Sequence, residues 1–170
     1  MTFGAIIDGG VWLPTIKTDP VVVDMYLRHN SAKKNVHSND YGVRRARYEN
    51  GVAGAGESMT LRSVDGRAVW IWLFNTVERL DKQVGVNCTI FRNEGPWLSS
   101  DLVREADDIA WRRGPDQPRH FTYIGDDKIQ SVNPGYCFKK AGWNSCGRNK
   151  DGRLTILERV ALAATDRSTR

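Results

Sequence analysis

Arg92, Asn93 and Glu94 follow a β-branched and aromatic run, Val86 to Phe91, and stand just before a Gly95-Pro96 turn. A guanidinium fixed at a strand end can hold a phosphate or carboxylate through two hydrogen bonds. It can equally pair with Glu94 or Asp101 and stitch the turn. Glu94 and Asp81 are the carboxylates best placed to take a proton from an amine, although a glutamate in a turn is readily just solvated. Ser99, Ser100 and Asp101 open an amphipathic segment. One serine can cap it; the other, with the free N–H groups of residues 100–103, makes an anion site at a helix start. Tyr123 and Tyr136 supply hydroxyls that can protonate a leaving thiolate or position an amine. Tyr123 alternates with Phe121, so it can also face a core with its hydroxyl at the rim.

Other chemistry-bearing residues are weaker candidates. Cys137 beside Tyr136 can carry an acyl group, but no histidine adjoins it to activate it, and buried cysteines behave mostly as small hydrophobes. His29, His37 and His120 have no metal-type spacing with Cys88, Cys137 or Cys146. Trp70 and Trp72 read as core, while Trp97 and Trp143 either stack a base extruded from a duplex or pack under the helix start.

The elements that must position these groups can be read in order. Phe3 to Ile7 reads as a first strand and Val21 to Leu27 as a short helix after Pro20. Asn30 to Asp40 is a polar loop, and Tyr41 to Tyr48 a possible strand. Met59 to Ser63 and Ala68 to Phe74 flank Asp65-Gly66, the signal of a two-residue hairpin. The second arm is apolar on both faces, so helices must cover the sheet. Leu98, Leu102, Val103, Ala106, Ile109 and Ala110 recur at helical spacing, and Gly114-Pro115 ends that helix. Arg119 to Ile124 and Arg153 to Val160 are strands. Asn133 to Trp143 is a short helix closed by glycine and an aromatic. The fold class expected is α+β, three layers around a mixed central sheet, as one domain over residues 1–160 with a frayed tail at 161–170.

Composition sets outer bounds. Of 170 residues 40% are hydrophobic and 26% charged, ordinary values for a globular chain. No apolar run approaches the roughly 18 residues of a membrane span. Met1 to Asp8 lacks the pattern of a secretory leader, and three scattered cysteines do not make a disulfide framework, so a reducing cytoplasm is expected. The net charge of +5 is concentrated from Arg28 to Arg47, including Arg44 and Arg45, and from Lys139 to Arg153, including Lys140. Such clusters suit nucleic acid or are plain solvated loop charge.

The order strand, polar turn, helix, strand, short helix ending Gly-aromatic resembles the C-terminal half of the GNAT acyltransferase superfamily. In that family the last helix carries a tyrosine four residues before a Gly-Phe pair; here Phe138 stands four residues before Gly142-Trp143, and the hydroxyl is missing. The family's glycine-rich phosphate loop is also absent, its place taken by Phe91 to Ser100. Over roughly Ala68 to Glu158, Arg92-Asn93, Ser99-Ser100, Thr122-Tyr123 and Asn133 to Phe138 resemble phage-encoded GNAT-like proteins, among them Mom-type proteins that modify adenine in viral DNA and so block restriction.

That resemblance implies a small-group donor such as acyl-CoA, a DNA partner and a host-cell location. Arg92, Ser99, Ser100 and Asp101 would hold the donor. Arg92, Asn93, Glu94, Tyr123 and Tyr136 would carry the transfer, and Arg44, Arg45, Lys139, Lys140 and Trp97 would meet the DNA. Two alternatives stand beside it. One is an acyl-CoA-dependent N-acetyltransferase of a small amine or protein; the other is a non-catalytic nucleic-acid-binding module. The residues imply no metal.

Overall fold

Ala68–Phe74 is apolar at every position, and every one of its residues is buried, which requires cover on both faces of the sheet. The computed structural model describes residues 10–29, 32, 48, 50–53, 56–74, 79–125 and 132–161. In chain order the elements are β1 (Trp12–Thr15), α1 (Pro20–Leu27), β2 (Glu57–Ser63), β3 (Ala68–Phe74), β4 (Val86–Asn93), α2 (Ser99–Arg113), β5 (Arg119–Gly125), α3 (Tyr136–Lys140), β6 (Asn144–Arg148) and β7 (Leu154–Val160). The strands make one sheet in the order β1-β2-β3-β4-β5-β7-β6. Neighbours are antiparallel except β4 and β5, which run parallel. This is the mixed, helix-flanked α+β sheet expected.

Alternation along β3 divides the core in two. Ala68, Trp70, Trp72 and Phe74 pack with Leu102, Val103, Ala106 and Ala110 of α2. Val69 and Ile71, on the other face, pack with Val22, Met25 and Tyr26 of α1. Two buried indoles fasten α2 to the sheet: Trp12 Nε1 donates to the Leu102 carbonyl at 2.9 Å and Trp72 Nε1 to the Ala106 carbonyl at 3.2 Å. A buried indole N–H needs such a partner, and here it also fixes the helix on its strand.

Local signals behave differently in three places. The β2–β3 connection spans residues 64–67, not two residues. Ser63 accounts for this: its hydroxyl accepts the amides of Arg67 and Ala68 at 3.0 and 2.8 Å and donates to Asp65 Oδ1 at 2.7 Å. Neither Ser99 nor Ser100 caps α2. The N-cap is Leu98, in an extended conformation without a side-chain bond, so the serines are the first two helical residues. Strands β1 and β6 carry too little apolar pattern to be read: β1 contains Pro14, and all five residues of β6 are exposed. The expected strands at 3–7 and 41–48, the loop at 30–40 and the tail lie outside the described residues, apart from single positions at 32, 48 and 161.

The Gly-aromatic ending of α3 has a physical basis. Trp143 N donates to the Phe138 carbonyl at 3.0 Å and Gly142 N to Lys139 at 3.1 Å, with Gly142 at φ +95°. That is the Schellman pattern, and the Phe138 and Trp143 rings meet edge-on at 5.0 Å, the apolar contact that accompanies it. Among the described residues no helix is long and apolar enough to cross a membrane.

Candidate active site

The sheet is interrupted at its one parallel pair. Val86, Asn87 and Cys88 of β4 register with His120, Phe121 and Thr122 of β5, while the strands run on to Asn93 and Gly125. The Thr122 hydroxyl bonds the Cys88 carbonyl at 2.9 Å; past that tie the strands part. Just beyond it β4 carries an extra residue. Trp72 opposes Cys88 and Ile71 opposes Ile90, leaving Thr89 out of the ladder with its hydroxyl on the Ile71 carbonyl at 3.2 Å. A bulge of this kind bends and twists its strand.

At the head of the gap lies the turn into α2. Asn93 uses its whole amide there: Nδ2 donates to the Trp97 carbonyl at 2.8 Å and to Ser99 Oγ at 2.9 Å, and Oδ1 accepts the Gly95 amide at 2.9 Å. Trp97 is half-buried against the main core, its ring so close over Gly95 that a Cβ there would lie 2.7 Å from it. The first bonds of α2 run from Asp101 and Leu102 to the Leu98 carbonyl, so the amides of Ser99 and Ser100 precede the ladder at a positive helix end; Ser99 is half-buried and Ser100 buried.

On the α1 face, Arg92 reaches across to α1. Its Nε bonds Glu94 at 2.5 Å and Nη1 donates to the Arg28 carbonyl at 2.8 Å. Arg28 closes the cluster with two 3.0 Å bonds to Glu94. Hydrogen bonds from Arg28, joined by Arg92, hold the Glu94 carboxyl down at about 2, which makes it a weak proton acceptor. His29, whose spacing in sequence carried no signal, is brought to this edge and bonds the Phe91 backbone; burial, with the Arg92 charge, lowers it to about 4. It is neutral near pH 7.

Across the gap, the Tyr123 hydroxyl donates to Asp81, which Arg79 also holds, at 2.7 Å. Burial and the bond to Asp81 push Tyr123 up to about 12. Asp81 is held below the usual carboxylate range, mainly by Arg79.

On the other face α3 lies across the gap. Phe138 packs on Phe91 and Trp70 at 5.8 and 5.7 Å, and a Cβ on Gly135 would meet Leu157 at 2.7 Å and Ile124 at 3.3 Å. Phe138 is therefore core. Tyr136 begins the helix 52% exposed, and the Cys137 thiol is pushed up by burial. Asp101 is on the outer surface of α2 with Arg104. Lys139 and Lys140 are exposed at the far end of α3. Trp143 is fully buried, which removes it as a platform for an extruded base. Arg44 and Arg45 lie outside the described residues. No group of three or more His, Cys, Asp or Glu among the described residues is placed to hold a metal.

No family model matches the chain, and no curated protein matches it by sequence. Solved structures do. An aminoglycoside acetyltransferase, AAC(6')-Ib, in complex with ribostamycin and coenzyme A aligns over 94% of this chain and 97% of its own, with 13% identity and a TM-score of 0.61. The N-acetyltransferase PseH of Campylobacter jejuni, in complex with acetyl coenzyme A, aligns over 89% and 100%, with 9% identity and a TM-score of 0.55. A spermidine N-acetyltransferase SpeG mutant from Vibrio cholerae gives 88%, 92%, 9% and 0.53. The chain has the fold of the GNAT-type acetyltransferases.

Proposed function

We propose that the protein transfers an acyl group from a coenzyme A-type thioester to an amine. The observation that carries this reading is the gap itself: two parallel strands tied over three residues and then parted, with a helix N-terminus at its head. The amides of Ser99 and Ser100, ahead of the helix ladder, would take the donor's phosphate charge, with Asn93 holding their turn in shape. The thioester would lie between the strands. The amine nitrogen attacks the thioester carbonyl and the C–S bond breaks; the thiolate takes a proton from an acid, and the proton shed by the nitrogen passes through solvent to restore that acid. Tyr136, at the start of α3, would be that acid; Tyr123 would orient the amine, its own proton being engaged by Asp81. Arg92 and Glu94 would keep the turn fixed to α1. Solved structures of this fold with coenzyme A or acetyl coenzyme A bound support the donor.

Two acceptor classes are favoured. Small amines come first, because the structural neighbours are named for aminoglycosides and spermidine. An exocyclic amine of a DNA base is the second reading. It is favoured by the exposed bases Lys139, Lys140, Arg148, Lys150 and Arg153 around α3 and the β6–β7 turn, and by the resemblance to phage-encoded proteins.

The test is thiol release from acetyl-CoA with a polyamine, an aminoglycoside or duplex DNA, beside mass spectrometry of nucleosides from plasmid made in an expressing host. Thiol release dependent on one acceptor names its class. A new nucleoside mass, lost in Tyr136→Phe, would establish the second reading. A chain that neither binds coenzyme A nor alters DNA would overturn the proposal.

A further inference from the structure

Behind the gap lies a buried carboxylate that the transfer does not use. Asp107, on α2, is fully buried and gathers donors from three other parts of the fold. His120 Nδ1 of β5 is 2.7 Å from Oδ1; Trp143 Nε1, just past α3, donates to Oδ2 at 2.8 Å, and Arg159 Nη1 of β7 donates to Oδ2 at 3.0 Å. The same Arg159 nitrogen donates to the Ala141 carbonyl at 3.2 Å, so two of these links end on the C-terminal cap of α3. His120 is stacked on Trp111 at 3.7 Å, and its Nε2 is buried without a partner among the described residues. With no bond at Nε2, the ring's orientation rests on Nδ1–H donating to Asp107.

A five-residue helix does not hold itself together in water; besides its ring contacts α3 is fixed at both ends, and Arg104 Nη2 of α2 also donates to the Lys140 carbonyl at 2.6 Å. Its front is the Gly135 turn pressed on Leu157 and Ile124; its back is the Ala141–Trp143 cap. We propose that Asp107 is a positioning residue: through Trp143 and Arg159 it anchors the rear of α3, and so sets where Tyr136, Cys137 and Phe138 stand against the gap. This rests on the gap being the reacting site. Asp107 touches no reactant, and its effect passes through the helix.

Native-state hydrogen exchange of the full chain tests it, read at the amides of Lys139, Ala141 and Trp143, each bonded within α3 or its cap. Trp143→Phe removes one bond to Asp107 and Arg159→Met removes the bonds to Asp107 and Ala141; each leaves Asp107 other donors, so these variants are used in place of Asp107→Asn. In folded variants those three amides exchange at least ~10-fold faster while β3 and β4 amides keep their rates, the mark of local rather than global opening. Unchanged rates in α3, or the same acceleration throughout the sheet, would overturn the anchor. Calorimetry with coenzyme A on the same samples judges the functional reading separately. Wild type that fails to bind sinks that reading, whereas the exchange data decide the anchor either way.

Discussion

Arg92 and Glu94, two residues apart at the end of β4, are bonded to each other at 2.5 Å and share their neighbour Arg28. The pair ties the turn before α2 to the end of α1. Because all three side chains are partly exposed, solvent screens the contribution to about 1 kcal/mol or less. Since Glu94 has its folded-state pKa lowered from 4.5 to about 2, its contribution is present above pH 4.5 and is lost as pH falls toward 2. Urea melts of wild type and Glu94→Gln should differ most at pH 7, draw together below pH 4.5 and meet only near pH 2. A difference that stays constant from pH 7 down to pH 2 would mean that Glu94 acts other than through its charge.

Asn93→Ala removes three hydrogen bonds from the turn before α2. The expected cost is about 1–3 kcal/mol, together with weaker coenzyme A binding, because the Ser99 and Ser100 amides lose their framing. Affinity for pantetheine, which lacks the nucleotide phosphates, should change far less. Calorimetry with both ligands checks this, and equal losses would place Asn93 elsewhere in the mechanism.

Burial depresses His120 below 6.5 despite Asp107, and His29 likewise to about 4. The unfolded chain therefore binds more protons, and stability should fall as pH drops below about 6.5. The slope of stability against pH between 6.5 and 5 should lessen in His29→Gln and in His120→Gln. A flat wild-type profile over that range would contradict the burial of both rings.

Two glycines separate strain from collision. Gly85 has φ +110°, and an added Cβ would lie 2.3 Å from the Arg119 carbonyl oxygen; Gly142 has φ +95° with open space around it. Gly142→Ala should cost about 1–2 kcal/mol from the backbone alone. Gly85→Ala should cost ~3 kcal/mol or more, since the adjoining strand must also move. Thermal melts rank the two, and equal costs would show that the strand yields freely.

Most elements carry their own signal. The all-apolar β3, the 3.6-residue stripe of α2 and the Phe138/Gly142-Trp143 ending of α3 are local patterns with local causes, and each lies where the sequence puts it. Strand β6, Asn-Ser-Cys-Gly-Arg, is held by pairing with β7 and by nothing in its own composition. The site divides the same way. Asn93 and Ser99 are near one another in sequence and are bonded in space, whereas Arg92, beside Asn93 in sequence, turns to the opposite face and to the end of α1. Asp107, by contrast, reads as an ordinary polar position on a helix until β5, β7 and the end of α3 converge on it. The approach of His29 to Phe91 likewise depends on how α1 crosses the sheet. Long-range closure is what no window of sequence contains.

Thr89 is the residue the ladder leaves over, and its deletion has an unusual phase. Ile90 would then follow Cys88 directly in regular alternation, so Ile90 and Arg92 would keep the α1 face and Phe91 and Asn93 the α2 face. No side chain would change sides. What would vanish is the kink, and with it the reason for β4 to leave β5, so the two strands would be free to zip together past Cys88 and Thr122. A one-residue deletion would leave each of these side chains on its own face and close the gap between β4 and β5. The separation of the two strands would then hang on one surplus threonine.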